Sequence, residues 1–403
     1  MIIDIISFRR TIDNIFIILL EYIGWIVIIY TDYYMRNEEK REEFKKNIYI
    51  FILIMKHLIL VNSFYDLFYY WESIGIFSYI LINYWGKKKE SIKTIIYNRI
   101  GDLSILYLII KEEVNRNNSN LMYFNKSFSI FIFLALIIKS VQFFSFPWLL
   151  NAMVSPTPVS SLLHSATMVC SGIYICIKYN YKISVLLFSI YLIISLLIGL
   201  GLKDIKKIIA ISTSNNINLL FINLKKFSYI HMLNHGLIKS LIFLLSGFII
   251  HNNLNQDIRK MRGYIYKEPL LLKLFLFLFI PLPYIFIFNS KEYLFLSSSS
   301  YFLNYIYNYL YLSFSFFLYK YLKSRPSYTY YLKSTDIYIY LLFIIPSFFF
   351  SLFLPFFFNS YSPKFLDLIY IIVYLLPFYS INTSIEKHNE NIINKLIYKF
   401  LLI

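Results

Sequence analysis

The stretch YIHMLNHGLIKSLIFLLSGFIIH, residues 229 to 251, carries His231, His235 and Lys239 at four-residue steps inside a run apolar enough to sit in lipid. On a helix that step keeps all three on one side, about 6 Å apart. Histidine exchanges its proton near neutral pH, and a lysine taken out of water releases its proton more readily than one in water. Such a row can pass protons along a helix. Two histidines four residues apart can also hold zinc, but no HExxH glutamate stands between them and neither an acid nor a thiol is close in sequence. A third reading makes the row hydrogen-bonding glue between helices.

Other ionisable residues stand in apolar runs. Glu72 lies in FYYWESIGIFSY, Asp102 in NRIGDLSILYLI, Lys139 in FLALIIKSVQFFSF, His164 in SSLLHSATMV and Lys291 in FIFNSKEYLF. A charge at the centre of a membrane helix costs about 2.5 to 3.5 kcal/mol on insertion scales, so these residues are expected to face a protein interior or a water-filled path. A carboxylate that moves toward or away from a buried lysine switches the amine between holding and releasing a proton. Glu72 and Lys139 are the candidate pair. Lysines and histidines spread over several apolar runs exceed what packing alone requires.

The elements that must position these groups are membrane helices. The chain has 403 residues, 58% hydrophobic, 21% aromatic and only 15% charged, which describes an all-α polytopic membrane protein with about twelve to fourteen transmembrane helices. Spans are drawn at 12–31, 48–66, 68–85, 94–111, 127–146, 157–178, 182–202, 207–223, 228–250, 269–289, 301–321, 336–358 and 364–381. The net charge is +17, yet the basic residues sit in short loops and form no extended patch, so nucleic acid is not an expected partner. Cys170 and Cys176 share one apolar run and read as small buried residues. The first run is too long for a cleaved signal. From Thr383 to Phe400 an amphipathic stripe fits a surface helix or a last short span.

Two segments read as interrupted helices. Pro147, Pro156 and Pro158 follow Lys139, while Pro281 and Pro283 precede Lys291. Proline frees backbone groups that must find new partners, which is tolerated where a helix lines a cavity. A lysine beside a break in each half fits a two-repeat transporter plan.

In order along the chain, WESIGIFSYILINYW, NRIGD, KSVQFFSFPWLLNAMVSPTPVSSLLHSATMV, KDIKKIIAISTS, HMLNHGLIKSLIFLLSG and QDIRKM resemble the signature segments of subunit 5 of proton-pumping NADH:ubiquinone oxidoreductase, complex I. The resemblance runs from about residue 30 to about residue 293, and PTPVSSLLHSATMV is its most specific segment. It implies antiporter-like inverted repeats with broken helices. The expected division is a leading helix and loop at 1–47, a first repeat at 48–178, a second at 179–325 and C-terminal helices at 326–403.

By matching motif the resemblance pairs Glu72 with Lys139, makes Asp102 a modulator of that pair, and lets His164 connect it to His231, His235 and Lys239, with Lys291 toward the exit. It implies a multi-pass chain of the mitochondrial inner membrane that moves protons. NADH, FMN, iron-sulfur clusters and ubiquinone would be bound by other subunits, and this chain would hold no cofactor or metal. Implied partners are the other membrane-arm subunits, including the neighbouring antiporter-like subunit, together with lipids. A composition rich in residues of A/T-rich codons fits an organelle genome.

Departures from the family pattern bear on these expectations. Asn151 stands where the family has an aspartate, and STSNNINLLF replaces a more usual Gln and Gly-Tyr pattern. Met1 falls near the family's third helix, so two leading helices are expected to be absent or supplied by a separate chain. Two other readings fit the same segments: the large subunit of a stand-alone cation/proton antiporter, and a non-conducting structural subunit of the membrane arm.

Overall fold

The computed structural model describes residues 2–86, 88–114, 129–179, 185–222, 226–253 and 255–260. Lys291, Pro281, Pro283, every expected span from 269 onward and the amphipathic tail lie outside the described residues.

The described residues are helical: α1 Ile2–Tyr34, α2 Arg41–Leu60, α3 Phe64–Ile82, α4 Lys88–Val114, α5 Ser129–Lys139, α6 Phe146–Ala152, α7 Thr157–Ser165, α8 Met168–Tyr179, α9 Val185–Gly201, α10 Ile205–Ile222 and α11 Lys226–Asn253. Among them, Thr11–Tyr34, Ile130–Ala152, Thr157–Tyr179 and Ser228–His251 are each long and apolar enough to cross a membrane. These four agree with the spans expected at 12–31, 127–146, 157–178 and 228–250.

Local chemistry sets the helix ends. The Ser63 hydroxyl accepts a hydrogen bond from the Asp66 N–H at 3.1 Å and so caps α3. Glu42 and Glu43 stand in the first turn of α2, where the helix dipole favours negative charge. Lys45 pairs with Asp32 and Glu42, tying the end of α1 to the start of α2. Hydrogen bonding to Lys45 holds the Glu42 carboxyl below its usual range, and the Asp32 carboxylate raises the Lys45 ammonium.

In lipid the tails are as apolar as leucine, so helices associate through close packing and hydrogen bonds. Along the chain α1 through α5 pack as successive neighbours up to the α4–α5 contact, while α5 lies on α8, α7 on α11, and α10 on both α9 and α11. Gly172 permits the α5–α8 contact, since a β-carbon there would stand 2.6 Å from the Leu136 carbonyl oxygen. At the centre α10 is buried at every residue except Lys207, including Ser212, Thr213, Asn215, Asn216 and Asn218.

The helix carrying Lys139 stops at that residue. Val141 and Phe143 then take φ of 60° and 53°, the left-handed region that costs side chains with a β-carbon energy. The carbonyls released at the end of α5 find new donors. Ile137 accepts from the Gln142 N–H at 3.0 Å and the Ser145 hydroxyl at 3.2 Å, and Ile138 accepts from the Trp148 indole N–H at 2.9 Å. Pro147 sits in the first turn of α6, where its missing N–H costs nothing. Trp148→Phe keeps the ring but removes one of two donors to the Ile138 carbonyl, which also accepts from the Val141 N–H at 3.3 Å, and is expected to cost about 0.5–1.5 kcal/mol. The check is an earlier loss of helical circular dichroism on heating the detergent-solubilised protein.

Two further breaks follow. Between α6 and α7 the chain turns at Ser155 and Pro156, and the Lys206 ammonium donates to the Ser155 carbonyl at 2.9 Å. Between α7 and α8 the Thr167 hydroxyl donates to the Leu162 carbonyl at 2.8 Å.

At one end of the bundle the segment after α11 is strapped to the loop before α10. The Ile205 N–H donates to the Gln256 carbonyl at 3.1 Å and the Ile258 N–H to the Lys203 carbonyl at 3.0 Å, around an isolated antiparallel bridge between Asp204 and Asp257. The Arg259 guanidinium beside Asp257, 2.6 Å away, holds that carboxyl below the usual aspartate range. A depressed carboxylate adds stability above its unfolded value and loses it as pH falls through the folded one. Exchange of the Ile205 and Ile258 amides, corrected for its intrinsic pH dependence, is therefore expected to accelerate below about pH 4. Asp257→Asn should already show about a two- to fivefold increase at neutral pH, the size of a partly exposed pair.

Candidate functional site

Three neighbouring helices build one charged cluster. The Lys139 side chain is fully buried, and its ammonium donates to the Trp71 carbonyl at 3.1 Å and lies 5.4 Å from the centre of the Trp71 ring. Its carboxylate neighbour is Asp102 on α4, 3.8 Å away and nearly as buried. Gly75 on α3 leaves room for the amine, because a β-carbon there would come within 3.2 Å of it.

The expected contact between Glu72 and Lys139 is not made. Glu72 pairs instead with Arg99 on α4, whose guanidinium also lies 4.0 Å from Asp102. The reason is register: Arg99 and Asp102 share a face of α4 one turn apart, so the arginine fills the space between the two acids. The result is an alternating row, Glu72, Arg99, Asp102, Lys139, that runs from partly exposed to fully enclosed. Two acids and two bases balance, so the row stays near neutral while a proton added at one end is felt at the other.

A second cluster lies on α10 and α11. His231, His235 and Lys239 follow one side of α11 as the four-residue step requires, and all three are fully buried. The Lys239 ammonium donates to the Ser212 hydroxyl of α10. Lys206, in the first turn of α10, is also fully buried and holds the break between α6 and α7.

His164 stands on α7, the helix that packs on α11. Its ring lies 5.7 Å from that of Phe243 and 6.3 Å from that of Trp148, and among the described residues neither ring nitrogen has a hydrogen-bond partner. The structure thus places His164 among aromatic rings on the helix beside the second cluster. Asn98, Trp71 and Gln142 also keep buried polar atoms without a partner among the described residues. Among the described residues no group of three or more His, Cys, Asp or Glu side chains is placed to hold a metal ion.

Arg99 and Lys206 are the residues that sequence reasoning passed over. Both had a signal, since Arg99 precedes Asp102 by one turn and Lys206 sits at the edge of an apolar run.

A multi-pass membrane bundle with a helix broken at a buried lysine, and further lysines and histidines enclosed on neighbouring helices, defines the class: antiporter-like membrane proteins. Residues 62–318 match the family described as NADH:quinone oxidoreductase/Mrp antiporter, TM, and the chain belongs to that family. It is 34% identical to NADH-ubiquinone oxidoreductase chain 5 of Papio hamadryas over 274 residues, which cover 62% of this chain and 45% of the relative. The same-named protein of Geomys personatus is 34% identical over 276 residues, 62% of this chain and 46% of the relative. That of Balaenoptera physalus is 35% identical over 267 residues, 60% of this chain and 44% of the relative. The chain thus spans a little under half the length of the curated relatives it matches.

Proposed function

We propose that the chain is the proton-translocating, antiporter-like subunit 5 of a respiratory NADH:ubiquinone oxidoreductase of the mitochondrial inner membrane. In this reading the redox step, with NADH, FMN, iron-sulfur clusters and ubiquinone, belongs to other subunits. The partners are the remaining membrane-arm subunits, including the neighbouring antiporter-like one. The observation that carries the reading is the row from the partly exposed Glu72 to the fully buried Lys139, in which the lysine faces a carboxylate at 3.8 Å.

The working cycle follows from that geometry. A proton arriving at the partly exposed Glu72 weakens its hold on Arg99, and the guanidinium swings toward Asp102. Asp102 is then shared, its attraction for Lys139 falls, and the amine releases its proton inward. The receiving groups are His164, then His231, His235 and Lys239 on α11, with ordered water joining sites too far apart for direct transfer. Lys291 completes the path toward the exit. The division into repeats at 48–178 and 179–325 belongs to the same proposal.

The family description also names antiporters, so a stand-alone cation/proton antiporter is the second reading. The complex I reading is favoured by relatives that carry the chain 5 name. The test is Lys239→Ala in the intact membrane complex. Proton movement driven by NADH oxidation should fall at least about tenfold, or about 1.4 kcal/mol of barrier, with the subunit still assembled. Undiminished movement would remove α11 from the path.

A further inference from the structure

The outer flank of α1 carries polar groups where lipid tails would offer them nothing. Glu21 on α1 forms an ion pair with Lys56 on α2, and their side chains are 45% and 28% exposed. One turn on, Trp25 is 68% exposed, and its indole makes no hydrogen bond among the described residues. Ile18 and Ile29 stand out on the same stripe.

Depth separates this face from an ordinary membrane surface. One end of the bundle is marked by Asp13, which meets Lys178 at the end of α8 at 3.2 Å, close to the end of α2, where Lys178 also donates to the Ile59 carbonyl at 2.7 Å. The other end is the turn after Tyr34. At 1.5 Å per residue, Glu21 lies about 12 Å and Trp25 about 18 Å from the Asp13 level, and Trp25 about 14 Å from Tyr34. Tryptophan favours the interface and a carboxylate has too short a stem to reach it, so Glu21 and Trp25 are two polar groups on a mid-span flank, with Lys56 reaching Glu21 from about 5 Å inside the Ile59 level.

We propose that this flank is a docking surface for a transmembrane helix of another polypeptide. The docked helix presents a hydrogen-bonding side chain to Glu21 and Trp25 and packs against Ile18 and Ile29. Hydrocarbon supplies no donor or acceptor, whereas a helix with a Ser, Thr, Asn, Gln or His at that depth satisfies the spare lone pairs of Glu21 and the indole N–H. The surface is separate from the buried lysine clusters and does not depend on proton movement.

The test uses intact membranes and p-benzoylphenylalanine in place of Ile18. The expected product is an adduct with a membrane-spanning peptide of a different chain that has a polar side chain within one turn of the attachment point. With Glu21→Leu and Lys56→Leu added together, the yield should drop at least fivefold while the amount of subunit in the membrane is unchanged. Adducts with lipid alone, adducts with residues 261–403 of this chain, or an unchanged yield in the double substitution would each overturn the proposal.

Discussion

Lys139→Met is expected to reduce proton movement at least about tenfold, equivalent to about 1.4 kcal/mol of barrier, without preventing assembly. Methionine nearly fills the same volume, so the fully enclosed site loses a charge and little packing. The uncharged side chain cannot hold a proton, while Asp102 keeps the Arg99 guanidinium 4.0 Å away. Glu72 and Arg99 keep each other, so the exposed end of the row stays in place. The measurement is acidification per NADH oxidised in sealed inverted membrane vesicles, beside immunodetection of the assembled complex. Acidification within twofold of the unaltered protein would rule out Lys139 as a proton carrier.

Asp102→Asn is expected to be nearly as damaging, and more so than Glu72→Gln. The acid within 4 Å of the amine is Asp102, and at that separation an effective dielectric of about 20 gives an attraction of roughly 4 kcal/mol. Losing it leaves Lys139, among the described residues, with the Trp71 carbonyl and ring and the more distant charge of Glu72. Glu72 acts first on Arg99, so its neutralisation reaches the amine through one intermediate. The two substitutions should rank Asp102→Asn below Glu72→Gln in the same vesicle measurement. The opposite ranking would return Glu72 to the position of direct partner that the family resemblance gave it.

Much of the bundle was legible in the residues. A four-residue step through an apolar run places His231, His235 and Lys239 on one face of α11 without any knowledge of its neighbours. The breaks around Lys139 were signalled by three prolines, though the first turn comes earlier, at Val141 and Phe143, whose residue types favour extended or helical backbone. Lys206 falls just outside the apolar run that begins at residue 207, while the helix begins at Ile205. The partner of Lys139 was not legible at all. Glu72 and Asp102 are both within a turn or so of the right depth, and the choice between them is set by how α4 rotates against α3 and α5, which no local pattern encodes.

The breaks also order the synthesis of the chain. The Gln142 side chain donates to the Ser214 carbonyl at 3.3 Å, and the Ser155 carbonyl waits for Lys206, so the stretch from α5 to α7 is completed by residues made some fifty to seventy positions later. Until α10 has left the ribosome and entered the bilayer, these polar groups face either lipid or the insertion machinery. A chain truncated before Lys206 therefore lacks the donor that closes the turn at Ser155.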